Sequence, residues 1–125
     1  MENVAGIIFI VEDLEQSLGF YQNIGFNLIK QVPDVAYTVV YNGFWIELLH
    51  KSKMVSEEYK TDIQTTQKSA GAYLQIEVKD IDGFYEKIKN KGISTTNAPK
   101  DFSWGHREFI LTDPNGYKLA FFSKI

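Results

Sequence analysis

The stretch GIIFIVEDLEQSLGFYQNIGF, residues Gly6–Phe26, recurs without a gap as YLQIEVKDIDGFYEKIKNKGI, residues Tyr73–Ile93. The alignment pairs Asp13 with Asp80, and an apolar run precedes this acidic position in both copies. A repeated supersecondary unit constrains a fold more strongly than any local propensity does. We therefore interpret the chain as two copies of one structural unit.

A second match follows each copy of the repeat. The segment NGFWIELL, Asn42–Leu49, aligns with NGYKLAFF, Asn115–Phe122, again without a gap. The two matches differ in offset because the loops that precede the second segments differ in length. The pattern predicts repeat units at about residues 1–51 and 71–125 within a single domain, joined by a polar surface linker at about residues 52–70.

Each copy is predicted to contain one strand, one helix and three further strands. Asp13 and Asp80 suit helix N-caps, because a carboxylate can accept hydrogen bonds from the free amides of the first turn. Gly25 and Gly92 are predicted to end the helices, since glycine adopts the left-handed conformation without a steric clash. The strands that follow are predicted at Asn27–Val32, Ala36–Tyr41 and Phe44–His50 in the first copy, and at Ser94–Pro99, Arg107–Thr112 and Tyr117–Ser123 in the second. The predicted fold class is α+β, with two βαβββ units.

The composition excludes several classes of function. The formal net charge is -3 and the lysines are scattered, so we predict no basic surface for nucleic-acid phosphates. The chain has no cysteine, which excludes disulfides, thiolate metal sites and a cysteine nucleophile. The apolar run Val4–Val11 is too short to span a bilayer and follows no basic region of a signal peptide. We expect a cytoplasmic protein whose partners are neither nucleic acid nor membrane.

Two motifs carry a family resemblance that covers almost the whole chain. VEDLEQSLGFYQNIGF, Val11–Phe26, is similar to the opening pattern of the vicinal-oxygen-chelate superfamily, and WGHREFILTDPNGYKLAFF, Trp104–Phe122, is similar to its closing pattern. This superfamily is also called the glyoxalase/bleomycin-resistance/dioxygenase group. The resemblance implies curled mixed sheets around a cavity, completed in a homodimer.

The resemblance also implies where a metal ion would be held in the enzymes of the superfamily. The four ligand positions fall on Gly6, Glu47, Tyr73 and Ala120. Of these, only Glu47 is a usual ligand, because glycine and alanine have no donor and a phenol with a pKa near 10 coordinates poorly. We therefore predict no metal and no other cofactor. The histidines, His50 and His106, are interpreted as solvent-exposed polar residues.

Strand alternation extends these positions to a predicted ligand-binding face, because side chains two residues apart share a face. Trp104 is added because it resembles the tryptophan beside the binding groove of the antibiotic-binding members. The predicted ligand-binding residues are Ile8, Trp45, Glu47, Tyr73, Gln75, Trp104 and Phe122. The aromatic members of this set could equally fill a closed core, and that alternative stays open.

The favoured hypothesis is a metal-free protein that binds a small molecule and sequesters an aromatic or cationic compound such as an antibiotic, as the bleomycin-resistance branch does. A non-catalytic role is favoured because three of the four metal positions lack a usual ligand. One alternative is an isomerase or lyase that uses Glu47 as base and Tyr73 as acid. Another is a metalloenzyme with substitute ligands, Glu47 with His106 or Glu108.

Overall fold

The computed structural model describes residues 2, 4–53, 57–59 and 67–125 of the chain. These residues form eight strands, two α-helices and two 3₁₀ turns, divided between the units Met1–Thr66 and Gln67–Ile125. Each unit holds one four-stranded mixed sheet and one of the helices. The predicted α+β fold class and the two βαβββ units are confirmed. Neither α-helix has the length and apolarity that crossing a bilayer requires.

The first unit follows the predicted order of elements. Its elements are β1 (Gly6–Val11), α1 (Leu14–Asn23), β2 (Asn27–Val32), β3 (Ala36–Tyr41) and β4 (Phe44–His50), followed by 3₁₀ turns at Lys51–Lys53 and Glu57–Tyr59. The sheet order is β1-β4-β3-β2, in which β1 and β4 are parallel and the other neighbours antiparallel. The three strands predicted after α1 are confirmed. The rest of the predicted linker, residues 54–56 and 60–66, lies outside the described residues.

Helix α1 covers one face of the first sheet. It begins after Asp13, whose carboxylate accepts a hydrogen bond from the Gln16 amide at 3.0 Å, as the N-cap prediction requires. Its buried side chains include Leu18 and Tyr21, and the Tyr21 ring packs edge-on against Phe26 at 5.3 Å between centroids. The sheet residues buried with them include Phe9, Val11, Ile46 and Leu48. Among the described residues of this unit, no α-helix other than α1 packs on the sheet.

The second unit repeats this arrangement. Its elements are β5 (Leu74–Glu77), α2 (Ile81–Asn90), β6 (Lys100–Asp101), β7 (His106–Thr112) and β8 (Lys118–Lys124). The sheet order is β5-β8-β7-β6, with β5 parallel to β8. Phe84 of α2 packs against Phe121 at 4.8 Å and Phe109 at 6.2 Å, so α2 also covers one face. Gly25 and Gly92 follow the two helices with φ of 113° and 78°, as predicted.

The predicted strand at Ser94–Pro99 is wrong. The segment that pairs with β7 as a strand is only Lys100–Asp101. Before it, the Thr96 amide donates to the Ile110 carbonyl at 2.7 Å, but the Asn97 side chain makes the next bonds to β7. Its Oδ1 accepts from the Ile110 amide at 3.0 Å and its Nδ2 donates to the Glu108 carbonyl at 3.3 Å. A side chain therefore satisfies part of the β7 edge where a regular strand would otherwise lie.

We predict that Asn97→Ala lowers the free energy of unfolding by about 1 to 2 kcal/mol, because it leaves the Ile110 amide without its acceptor. Urea denaturation measures this loss. Asn90→Ala is the matched control, since Asn90 is exposed at the end of α2, and its effect should stay within about 0.5 kcal/mol. Equal effects of the two changes would contradict the role given to Asn97.

Candidate functional site

The face of the first sheet opposite α1 brings together three of the predicted ligand-binding residues. In the parallel pair of β1 and β4, Ile8 lies beside Glu47 and Gly6 beside Trp45. Ile8 and Trp45 are each 47% exposed, and Glu47 is half-buried. Because Ile46 and Leu48 are fully buried on the helix side, the alternating Trp45 and Glu47 side chains lie on the open face. Thr38 and then Lys30 continue the row of Ile8 and Glu47 across β3 and β2, so among the described residues this surface combines apolar and aromatic side chains with a few polar groups, one of them the Glu47 carboxylate.

Gly6 cannot carry a side-chain metal ligand in this backbone. A Cβ placed on Gly6 would overlap the carbonyl oxygen of Trp45 and lie 2.7 Å from the Trp45 Cβ. Both contacts are with atoms near the β4 backbone, which a side-chain rotation cannot move away. The close approach of β1 to β4 is therefore compatible with glycine alone at this position.

Of the remaining predicted residues, Gln75 on β5 and Phe122 on β8 lie on the open face of the second sheet. Gln75 lies beside Ala120, and Phe122 lies between Glu77 on β5 and Glu108 on β7. Tyr73 precedes β5, is 50% exposed, and has the Lys118 ammonium 5.4 Å from its ring centroid. Ala120 and Phe122 are buried, whereas Gln75 is exposed. Tyr73 and Gln75 are thus accessible, as is Trp104 with 59% exposure.

His106 covers Phe122, and the interpretation of His106 as a solvent-exposed residue is wrong. The His106 ring stacks on Phe122 with centroids 3.9 Å apart, which leaves 21% of the histidine side chain exposed. Its Nδ1 is buried without a hydrogen-bond partner among the described residues and lies 3.6 Å from the Glu108 Oε1. The aromatic stacking explains how a histidine at the start of a strand becomes mostly buried.

Sequence reasoning did not find the link between Glu108 and Trp104. The Trp104 indole N–H donates to the Glu108 Oε1 at 2.9 Å, although Trp104 is 59% exposed and the Glu108 side chain only 6%. Alternation across β7 was the available signal, because Glu108 is directly opposite Phe122, which the sequence already placed on the binding face. The loop conformation that brings Trp104 back over β7 had no such signal.

The residues at the four family positions do not fit a catalytic metal. Gly6 and Ala120 supply no donor, which leaves the carboxylate of Glu47 and the phenol of Tyr73. In the described part of the chain, no three His, Asp or Glu side chains are grouped so as to hold a metal ion. His50 lies on the helix side of β4, where its Nδ1 shares a hydrogen bond of 2.7 Å with the Ser52 hydroxyl. It is therefore on the face opposite Glu47.

A separate cleft lies on the helix side of the first sheet, at the start of α1. Its volume is ≈ 460 Å³, and no predicted ligand-binding residue lines it. The buried Tyr37 donates its hydroxyl proton to the Glu15 carboxylate, and this hydrogen bond, with burial, raises the pKa of Tyr37 above its usual value. The lining residues are Glu12, Asp13, Leu14, Glu15, Asp34, Tyr37, His50, Ser52 and Lys53. The cleft is acidic in character.

Comparisons with known proteins agree with the architecture. Residues 4–121 match the model of the Glyoxalase/Bleomycin resistance protein/Dioxygenase superfamily. A bleomycin resistance protein of Geobacillus stearothermophilus is 34% identical over 122 residues, which cover 92% of each chain. A lactoylglutathione lyase of Neisseria meningitidis serogroup A is 27% identical over 118 residues, covering 91% of this chain and 85% of the lyase.

A solved structure from Nocardioides, described as a glyoxalase/bleomycin resistance protein/dioxygenase, has the same fold. It superimposes with a TM-score of 0.78 at 20% sequence identity and covers 100% of this chain and 85% of its own. At this level of identity, the similarity concerns the fold alone.

We predict that Gly6→Ala lowers the free energy of unfolding by about 1 to 3 kcal/mol, because the added methyl group forces β1 away from β4. Gly19→Ala is the matched control. An added Cβ at Gly19 meets nothing within 4 Å in α1, so this change should stabilise the protein by roughly 0.5 to 1 kcal/mol. Thermal or urea unfolding compares the two variants, and a neutral Gly6→Ala would refute the steric argument.

We also predict an alkaline loss of stability through Tyr37. Since its pKa is raised in the folded state, the stabilisation is complete below the unfolded tyrosine value near 10 and declines as pH rises through the folded value. The stability difference between the parent protein and Tyr37→Phe should therefore shrink above pH 10. Urea unfolding from neutral to alkaline pH measures this difference, and a constant difference would contradict the raised pKa.

Proposed function

Because the chain belongs to the glyoxalase/bleomycin resistance protein/dioxygenase superfamily, we propose that it is a metal-free binding protein that sequesters a small aromatic or cationic compound, such as an antibiotic. The observation that carries the proposal is the open face of the first sheet. There Trp45 and Ile8 expose large apolar side chains beside the Glu47 carboxylate. An aromatic and aliphatic surface with one anionic group suits a flat cation.

The energetics favour an occupant on this face. Exposed apolar area carries a cost of about 25 cal/mol per Å², and a ligand that covers Trp45 and Ile8 recovers part of it. Stacking on an aromatic ring adds roughly 0.5 to 1.5 kcal/mol. The net charge of -3 adds a favourable long-range field for a cation. Small-molecule sites generally combine apolar walls with a few polar groups in this way.

The second sheet supplies the same type of surface. Tyr73 and Trp104 are both at least half exposed, and Glu77 lies beside Phe122 on the same face. Gln75 adds an amide that can donate and accept hydrogen bonds. These groups support recognition of an aromatic compound with polar substituents.

A metal-free site is proposed because the residues at the four family positions supply too few metal ligands. The steric exclusion at Gly6 and the methyl group of Ala120 remove two of the four family positions. Relatives named as bleomycin resistance proteins are 34% identical to this chain. We place the sequestration in the cytoplasm, where a chain without cysteine needs no oxidative folding.

We further propose that two chains form a homodimer that completes the binding face. Exposed apolar side chains of the size of Trp45 and Trp104 are suited to burial at a subunit interface or under a ligand held there. Sedimentation velocity at micromolar concentration should give the mass of two chains. A monomer at that concentration would refute the dimer but not the ligand binding.

A second candidate is an isomerase or lyase, which the 27% identity to a lactoylglutathione lyase favours. In this alternative Glu47 acts as general base and Tyr73 as general acid on a carbon acid. Glu47→Gln would then abolish turnover while retaining binding. Unchanged activity in that variant would exclude the alternative.

We predict that the chelator-treated protein binds metal-free bleomycin or ethidium, measured by quenching of tryptophan fluorescence and confirmed by calorimetry. Trp45→Ala should weaken binding by about 10- to 100-fold, which corresponds to about 1.4 to 2.7 kcal/mol of lost stacking and apolar contact. Ile29→Ala is the control, because Ile29 is a similarly exposed apolar residue on β2. Loss of affinity in both variants, or in neither, would contradict the assigned face.

A further inference from the structure

Trp104 is an exposed aromatic residue that is anchored by a buried group. Its side chain is 59% exposed, yet its indole N–H donates to a carboxylate that is almost completely buried. An exposed aromatic side chain without such an anchor exchanges rotamers on the picosecond to nanosecond timescale. The hydrogen bond to Glu108 therefore restricts a ring that solvent exposure alone would leave free.

The loop around Trp104 is anchored at several further points. The Phe102 ring stacks on the Trp104 indole with centroids 4.6 Å apart and planes at 23°. The Phe102 amide donates to the His106 carbonyl at 2.8 Å, and the Gly105 amide donates to the Phe102 carbonyl at 3.2 Å. The loop thus closes as a tight turn whose geometry is fixed by its own backbone. The two rings are nearly parallel. Phe102 packs on one face of the indole, and Glu108 binds the N–H at its edge.

Among the described residues, Glu108 has no lysine or arginine partner that would explain its burial. In the described residues, its side-chain contacts are the Trp104 indole N–H and, at 3.6 Å, the Nδ1 of His106, and no lysine or arginine pairs with it. Burying a carboxylate with so few partners is unfavourable. A carboxylate in this position is therefore better explained by what it does to Trp104 than by stability.

We propose that Glu108 is a positioning residue that holds the Trp104 indole as a preformed stacking platform and makes it selective for flat aromatic cations. The inference rests on the proposed function. It adds that the ligand is cationic and that Trp104 and Glu108 recognise its charge. A hydrogen bond from the indole N–H to a carboxylate increases the electron density of the ring, which strengthens its attraction for a cation. Holding the ring in place also lowers the entropy cost of binding.

A glutamine at position 108 distinguishes the effect of the hydrogen bond to Trp104 from the effect of the negative charge. Glu108→Gln keeps an oxygen that can accept the indole N–H but removes the negative charge, whereas Glu108→Ala removes both. Glu86→Gln is the control for net charge, because Glu86 is exposed on α2. Circular dichroism and thermal melting identify any variant that fails to fold.

The first measurement is the time-resolved fluorescence anisotropy of Trp104. The chain has two tryptophans, so Trp45→Phe leaves Trp104 as the single emitter. In that background Glu108→Ala should add a fast, subnanosecond depolarisation, and Glu108→Gln should restore the slow decay. An indole that stays equally immobile in the alanine variant would overturn the positioning role.

The second measurement compares 9-aminoacridine, which is cationic at neutral pH, with acridine, which is neutral there, in calorimetric titrations with Trp45 present. The parent protein should prefer the cation. Glu108→Gln should weaken binding of the cation by about 10-fold, or about 1.4 kcal/mol, and leave acridine binding unchanged, while Glu86→Gln changes neither. An unchanged preference in Glu108→Gln would overturn the charge selectivity.

Together, the two measurements distinguish failure of the inference from failure of the proposed function. If the parent protein binds neither dye nor metal-free bleomycin, the proposed function is contradicted, and the anisotropy alone then decides whether Glu108 positions Trp104. If the dyes bind but the anisotropy of Glu108→Ala matches that of the parent, the proposed function stands and the inference fails.

Discussion

The packing of each helix against one face of its own sheet determines where the candidate site residues on the strands lie. In the first unit Ile46 and Leu48 are fully buried on the helix side, so the intervening Glu47 lies on the open face. In the second unit Phe121 packs against α2, so its neighbour Phe122 lies on the open face. Loss of the helix–sheet contact would therefore remove the site together with the core. The positions of Trp45, Glu47, Gln75 and Phe122 are thus a consequence of strand alternation, whereas Trp104 is positioned by a loop.

The parallel pairing of β1 with β4 explains why one of the four family metal-ligand positions carries no side chain here. The strands approach so closely at Gly6 that a side chain would collide with Trp45. Because Gly6, which lies beside Trp45, has no side chain, it does not cover the Trp45 ring on the open face. Gly6, at a family metal-ligand position, therefore allows the close contact of β1 and β4 beside the exposed Trp45 ring. This exchange is consistent with recognition by stacking and charge in place of metal coordination.

Most of the fold could be predicted from the sequence, because the repeat, the helix caps and the alternation are local patterns. The strands of the first unit followed directly from them. The strand predicted at Ser94–Pro99 failed, because the Asn97 side chain forms hydrogen bonds with β7 that propensity does not encode. Trp104 was placed in the candidate site through family resemblance alone. Its bond to Glu108 depends on a turn through Gly105, with φ of 86°, whose three-dimensional path has no periodic signal.

The central claim is that the open faces bind their ligand without a metal ion, and metal binding tests it most directly. Calorimetric titration of the chelator-treated protein with nickel, zinc and manganese requires no knowledge of the ligand. The account predicts no stoichiometric binding tighter than micromolar for any of the three, because Glu47 is the single usual ligand at the family positions. Stoichiometric binding at higher affinity would contradict it and would direct the search towards a glyoxalase-like or dioxygenase-like reaction.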